Sequence, residues 1–391
     1  MMSSVDAKER AEMRLAKVSC DFLSVPVRVP VKETMRDFGV VLVRLETDDG
    51  FTGVGLARPS DARGRAVRSV VLDDIAPFLA GQDRLLAPGR FWHEAGFALL
   101  TSDYRAAGGV VAGAAGAVDQ ALWDILGKSA GQPVYRLLGG AQDEIEAYAT
   151  FGLNVYTPEE EIEAAKIVRE QGFRSFKLQG ADADRGQDIE HAAGRVRRLR
   201  ETVGPDARII LDGHNRYTPY QAAALAKLVE PYDLAFLDEP LHARDHAALR
   251  RLKASVPWLP LAGRGRTGDM WDSRDLADSG CLDVMGTNVI DQGGFCQGVK
   301  IAHLAELRHL PLVTGGAFHH PNAHLIAAVT NGWMTEYHTL AASLTEYLFA
   351  DCVRPVGGML RLGDRPGLGL ELDPDAFAEA KARGDSLQAR Q

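Results

Sequence analysis

Asp212 and Asp238 each close a short apolar run, ARIIL and DLAFL, and each run reads as a strand that ends in its carboxylate. Between them, a segment that opens at Thr218-Pro219 and closes before Pro231 reads as a helix. In a parallel α/β barrel all strand ends face one mouth, so two such carboxylates become neighbours there. Side by side they repel unless a cation or a shared proton lies between them. The pair therefore predicts a metal site. His214 stands two residues after Asp212, on the same side of the strand by alternation. An unperturbed imidazole titrates near pH ~6.5, which suits proton transfer. Its other reading is a residue that only caps the loop above the strand.

The elements that must position these groups follow from pattern. Residues 1–16 are polar and without periodicity and read as a flexible lead-in. From Lys17, VSCDFLSVPVRV and VVLVRLETDDGFTGVGLA read as strands, with Asp48-Asp49-Gly50 as a hairpin turn. The stretch from Pro30 to Phe38 reads as a loop, with Lys32, Glu33, Arg36 and Asp37 either closing over a ligand or merely solvated. Residues 67–140 read as helical. After Gly140, strand-like and helix-like runs alternate, and eight strands can be counted from IEAYATFG to WMTEYH. The expected architecture is α/β: a TIM-type (β/α)7-8 barrel over 141–340, an N-terminal α+β capping domain over 17–140, and a segment from 341 to 391 that returns to the cap.

The totals narrow the function. A net charge of -9 over 391 residues argues against a nucleic-acid binder. No apolar run approaches the ~18 residues that span a membrane. The N-terminus lacks the apolar centre of a signal peptide, and the four cysteines show neither disulfide nor zinc spacing. A cytoplasmic protein acting on a small molecule is expected.

The motif AVDQALWDILGKSAGQPVYRLLGG, the strand ends LDGHN and LDEP, and the tail RPGLGLELDPD together resemble the enolase superfamily, in its mandelate racemase and muconate lactonizing branch. The likeness runs from about Lys17 to Asp375. It implies abstraction of a proton next to a carboxylate, Mg2+ stabilising the enediolate, and a homo-oligomer. Asp212 and Asp238 match two metal ligands. Glu239 points out of the barrel by alternation. The third acidic position falls on Gly265, flanked by Arg264 and Arg266, so the Mg2+ set is one carboxylate short. The second-strand Lys-x-Lys reads Lys177-Leu178-Gln179, which leaves Lys177 to orient a substrate carboxylate. The sixth- and seventh-strand Asp-His dyad falls on Asn288 and Gly316, and Glu336 matches an acid that meets the substrate carboxylate.

His214 resembles the histidine of the Asp-x-His motif in acid-sugar dehydratases. His319 and His320 follow the seventh strand closely enough for one of them to replace the missing base, whereas His324 reads as helix packing. Either Arg264 or Arg266 could supply fixed charge where a metal would have stood, or Arg266 simply pairs with Asp238. The expected set is Lys177, His214 and Glu336 as catalytic residues, Arg266, Asn288 and His319 against the substrate, and Asp212 and Asp238 on the metal. The function implied is a lyase that dehydrates a hydroxylated carboxylic acid. A metal-independent isomerase or epimerase and a non-catalytic binding protein are the alternatives.

Overall fold

The computed structural model describes residues 13–32, 34–59, 61, 63–95, 108–152, 155–180, 188–265, 268 and 270–389. Most of the expected lead-in therefore lies outside the described residues, and the first strand begins at Leu15 rather than Lys17.

Strands β1 (Leu15–Arg28) and β2 (Met35–Thr47) form a long antiparallel hairpin, and β3 (Thr52–Ala57) pairs with β2. The hairpin register reaches Arg28↔Met35, so only a tight turn remains where a loop from Pro30 to Phe38 was expected. Arg36, Asp37 and Phe38 belong to β2 because continuous cross-strand pairing outweighs the weak strand preference of Asp. Lys32 stays in the turn, and Glu33 lies outside the described residues.

Helices α1 (Arg65–Ser69), α2 (Ala76–Ala80), α3 (Pro88–Ala95), α4 (Gly109–Ala130) and α5 (Val134–Leu137) complete the cap, with a π-helical stretch at Val70–Ile75. Helix α4 lies on β3 because Gly53 and Gly55 have no side chain. A Cβ at Gly55 would stand 1.8 Å from the Ala117 carbonyl oxygen. The polar residues of α4 are joints. Asp124 accepts from the backbone N–H of Val54 in β3 and of Leu368 in the tail. Gln120 exchanges two hydrogen bonds with the Leu56 backbone. Asp119 accepts from the N–H groups of Phe295 and Cys296 on the barrel side. The AVDQALWD motif thus ties cap, tail and barrel together through buried, satisfied polar groups.

Eight parallel strands form the barrel as expected: β4 (Glu144–Gly152), β5 (Ser175–Gln179), β6 (Arg208–Asp212), β7 (Leu234–Asp238), β8 (Leu261–Gly263), β9 (Val284–Thr287), β10 (Leu312–Thr314) and β11 (Gly332–His338). Pairing of β11 with β4 closes the ring. The outer helices are α6 (Pro158–Glu170), α7 (Ile189–Val203), α8 (Pro219–Val229), α9 (His246–Ser255), α10 (Met270–Asp278), α11 (Gly294–Glu306), α12 (His319–Ala328) and α13 (Thr339–Leu348). Capping boxes start α6 at Thr157/Glu160 and α8 at Thr218/Gln221, with proline in the first turn of each.

In the tail, β12 (Met359–Arg361) runs antiparallel to β4, and α14 (Pro374–Ala389) lies on β1. Lys381 pairs with Asp21, and Arg68 donates to Gln388.

One layer inside the barrel, Tyr148, Ile210, Phe236, Ala262, Val284, Val313 and Met334, is apolar. Two residues further along the same strands come Thr150, Asp212, Asp238, Arg264, Gly286, Gly315 and Glu336, all facing the mouth. This second layer carries the chemistry.

Replacement of Gly55 by alanine is expected to cost about 3 kcal/mol or more through overpacking on α4. Gly113, helical with only the Ile290 carbonyl 3.9 Å away, is expected to gain about 0.5–1 kcal/mol on the same substitution. Urea unfolding of both variants checks the contrast; equal effects would contradict the packing described.

Candidate active site

The mouth holds a cavity of about 510 Å3, roofed by Phe38 and Gly39 of β2 and by Arg58 and Pro59 just after β3. Its floor is built around Lys177, only 3% exposed. Lys177 Nζ donates to Asp238 Oδ2 at 2.6 Å and stands 2.8 Å from Asp212 Oδ2, so one ammonium sits between the two strand-end carboxylates. Its charge also lies 5.6 Å from the Tyr148 ring centroid. Burial would depress this ammonium, but Asp212 and Asp238 outweigh it and hold the Lys177 pKa well above the usual lysine value. Burial opposes the charge of Asp212 as well; Lys177 and His214 overcome it and keep Asp212 below the ordinary carboxylate range. Asp238 is pushed up by burial, with Asp212 and Glu239 adding to the rise against Lys177.

His214 follows β6 in the left-handed backbone region, φ 49°. Its N–H donates to Asp212 Oδ1 at 2.9 Å, which pins the turn, and its Nε2 lies 3.4 Å from Asp212 Oδ2. The Asp212 charge raises the His214 pKa despite burial. Gln179 stands 3.4 Å from the same ring nitrogen. Behind β5, buried Arg195 grips Glu161 with Nε and Nη2 and donates to the Gln179 carbonyl, which holds this strand end in place. Glu336 accepts from Thr150 Oγ1 and from the Ala317 N–H, both at 2.7 Å. Burial works against its ionisation, yet Lys177, His338 and these donors bring its pKa down to about 2.

Several expected placements change. Glu239 turns into the cavity instead of pointing out of the barrel, because β7 ends at Asp238 and a left-handed φ of 46° at Glu239 breaks the alternation. It accepts from Arg264 Nε at 3.0 Å. The third-ligand level is held by Arg264, not Gly265. Ala262 lies in the apolar layer with Ile210 and Phe236, and counting two residues on from each gives Arg264, Asp212 and Asp238. A Cβ at Gly265 would instead press within 2.6 Å of Ser273 Oγ on α10, away from the mouth. Arg266 lies outside the described residues.

Asn288 is wholly buried and does not line the cavity. Its Nδ2 donates to the Gly315 carbonyl at 2.6 Å and its Oδ1 accepts from the Ile290 N–H, so it braces the loops after β9 and β10. His319 is also turned away: its Nε2 donates to the Val353 carbonyl at 2.8 Å. His320 donates to the Leu368 carbonyl at 2.6 Å, so neither histidine replaces the missing base. Burial depresses both imidazoles to about 3, which suits neutral clamps on the tail. His324 packs inside the same helix.

Three cavity residues lie beyond what the sequence reading found. His338 is two residues past Glu336 on β11, a position that strand alternation marks. Arg58 enters from the cap, which no spacing in the barrel reveals. Arg264, the third, was legible as one of two arginines that could take the metal's place, but not as the residue level with Asp238.

The donor set does not fit the family's Mg2+ site. Among the described residues no three His, Cys, Asp or Glu side chains are grouped to hold a metal ion. Asp212 and Asp238 already share the Lys177 ammonium, and the third position carries a guanidinium. Four acids, Asp212, Asp238, Glu239 and Glu336, share the cavity with Lys177 and Arg264, and Arg58 and Arg216 add two more guanidinium groups to its lining.

Residues 13–139 match the mandelate racemase/muconate lactonizing enzyme N-terminal domain, and residues 160–376 match the enolase C-terminal domain-like family. An arabinonate dehydratase of Saccharolobus solfataricus is 30% identical over 352 residues, covering 88% of this chain and 91% of that protein. A D-mannonate dehydratase of Caulobacter vibrioides is 30% identical over 386 residues, covering 87% and 90%. A racemase of Streptomyces coelicolor A3(2) with bound magnesium superposes with a TM-score of 0.83 at 26% identity, over 94% of this chain and 99% of that one. L-Talarate dehydratase from Polaromonas sp. JS666, complexed with Mg and L-glucarate, gives 0.81 at 25% identity over 94% and 98%.

Replacing Lys177 by methionine strands two buried carboxylates and is expected to destabilise the protein by about 3–5 kcal/mol at pH 7. Without the ammonium their folded pKa values rise above the unfolded ones, so protonation favours the folded variant as pH falls. The gap from wild type should therefore narrow between pH 7 and pH 5 in urea titrations; a gap independent of pH would contradict the bridging role.

Proposed function

The chain belongs to the mandelate racemase/muconate lactonizing enzyme branch of the enolase superfamily, and from that premise we propose that it is a hydro-lyase that dehydrates a polyhydroxylated carboxylic acid. The observation that carries this reading is His214, set over the cavity and made more basic by Asp212. The two dehydratases that match most of the chain support it. An isomerase with two opposed bases is less well supported, since Gln179 and Gly316 stand where the family's usual proton carriers would be.

In the proposed reaction, neutral His214 takes the proton from the carbon next to the carboxylate. The electron pair moves into the carboxylate as an enediolate, then returns to expel hydroxide from the β-carbon. The His214 imidazolium protonates that hydroxide as it leaves, giving water, and the enol that remains becomes a 2-oxo acid. A raised pKa lets one imidazole serve both steps near neutral pH. Lys177 donates to Asp238 and lies 2.8 Å from Asp212, and an ammonium has three donors, so in this proposal it also donates to the substrate.

Glu336 is held ionised by its two donors. It would repel a substrate carboxylate, so its role here is to accept from a substrate hydroxyl. The four cysteines are free thiols, which fits a reducing compartment. A cytoplasmic homo-oligomer is the corresponding expectation. Among the described residues no helix is long and apolar enough to cross a membrane.

The test is a screen of aldonic and aldaric acids for 2-oxo acid release, repeated with His214→Asn. The substitution is expected to lower kcat/KM by about 10²–10⁴ while leaving the far-UV spectrum unchanged. Turnover undiminished in that variant would remove His214 from the mechanism.

A further inference from the structure

At the level of Asp212 and Asp238, the third strand end presents a positive charge. Arg264 reaches this position from the residue after β8, and its Nε donates to Glu239. Its Nη1 is buried and has no hydrogen-bond partner among the described residues. A buried, unpaired guanidinium N–H is costly unless something arrives to accept it. Among the functional groups of this mouth, an incoming anion is what it lacks.

Gly316 adjoins that nitrogen. A side chain at Gly316, where the family's seventh-strand histidine falls, would begin 2.8 Å from Arg264 Nη1 and 2.6 Å from Arg58 Nη2. Asn288 Nδ2 would be closer still, at 2.4 Å, so a side chain there would have to displace Asn288 and both guanidinium groups. A glycine at position 316 and an arginine at position 264 thus fit together sterically.

We infer that Arg264 replaces the divalent cation, receiving the substrate carboxylate and the enediolate that grows from it, so that this mouth works without a metal. The inference rests on the reading of the cavity as a site for α-deprotonation of a carboxylate. Arg264 cannot give up its proton and presents fixed N–H donors to a planar anion. Lys177, held between Asp212 and Asp238, is a second positive charge lining the same cavity. Arg58 is tethered 3.3 Å from Asp291 and contributes a further guanidinium at the rim. In a site shielded by the cap, pre-placed donors of this kind stabilise developing negative charge without reorganising.

Oxalate, a planar dianion shaped like the enediolate end of the substrate, is the probe. EDTA-stripped protein titrated with oxalate by calorimetry is expected to show saturable binding in the absence of any metal. Mg2+ titrated alone into the same protein to millimolar concentration is expected to show none. Arg264→Gln should weaken oxalate at least tenfold, and Arg264→Glu should abolish it and give the protein a saturable Mg2+ site.

Saturable Mg2+ binding to the wild type that Asp212→Asn removes, or oxalate that fails to bind the stripped protein, would overturn the inference. Both wild-type arms stand even where an Arg264 variant does not fold. Neither arm depends on turnover, so they separate this inference from the dehydratase reading: an enzyme that dehydrates an acid sugar only with Mg2+ keeps that reading and loses this one.

Discussion

A single ammonium between two buried carboxylates is the constraint around which the mouth of this barrel is arranged. Lys177 touches both Asp212 and Asp238 while almost fully shielded from water. Removing two carboxylates from solvent is unfavourable, and their mutual repulsion adds to it. Lys177 answers both costs at once, and the answer works only because strands β5, β6 and β7 are held in register, with Gln179↔Asp212 and Asp212↔Asp238 as direct neighbours. The charge of Asp212 then sets the character of His214. From one ion triad come a firm strand-end geometry, a raised imidazole pKa and an ammonium where the two carboxylates would otherwise repel.

The cap, the tail and the barrel are joined by buried polar groups far from that triad. Asp119, Gln120 and Asp124 of α4 connect β3, the tail and the start of α11, while His319 and His320 clamp the tail from α12. These bonds are what hold the β1–β2 hairpin, and with it Phe38, over the cavity. The motif that marks the family most clearly is thus structural: it seats the roof on the site instead of taking part in the chemistry.

Much of this was legible in the sequence, and the limit falls where strands end. Asp212, Asp238, Lys177 and Glu336 sit within strands, so a period of two residues was enough to aim them into the mouth. The eight-strand alternation was legible for the same reason. Beyond the last paired residue the backbone leaves that period. Glu239, Ala317 and Phe318 all adopt positive φ, and side chains there point where local turns send them. Glu239 accordingly faced in rather than out. His319 and His320 were displaced from the mouth by the helix that starts at His319, which carries them toward the tail. Arg264 was legible as one of two arginines that could stand for the metal, but strand register, not motif spacing, decides that it stands level with Asp238. Arg58 comes from another layer, and contacts between layers leave no local pattern to read.

The most direct test of this account is an anomalous-scattering experiment on crystals soaked in millimolar Mn2+, a divalent ion that takes carboxylate ligands as Mg2+ does. The account predicts no anomalous peak between Asp212 and Asp238, and Lys177 Nζ within hydrogen-bond distance of both. A peak coordinated by those two carboxylates, with Lys177 displaced, would show instead that the mouth is built for a metal and that the ammonium only keeps its place.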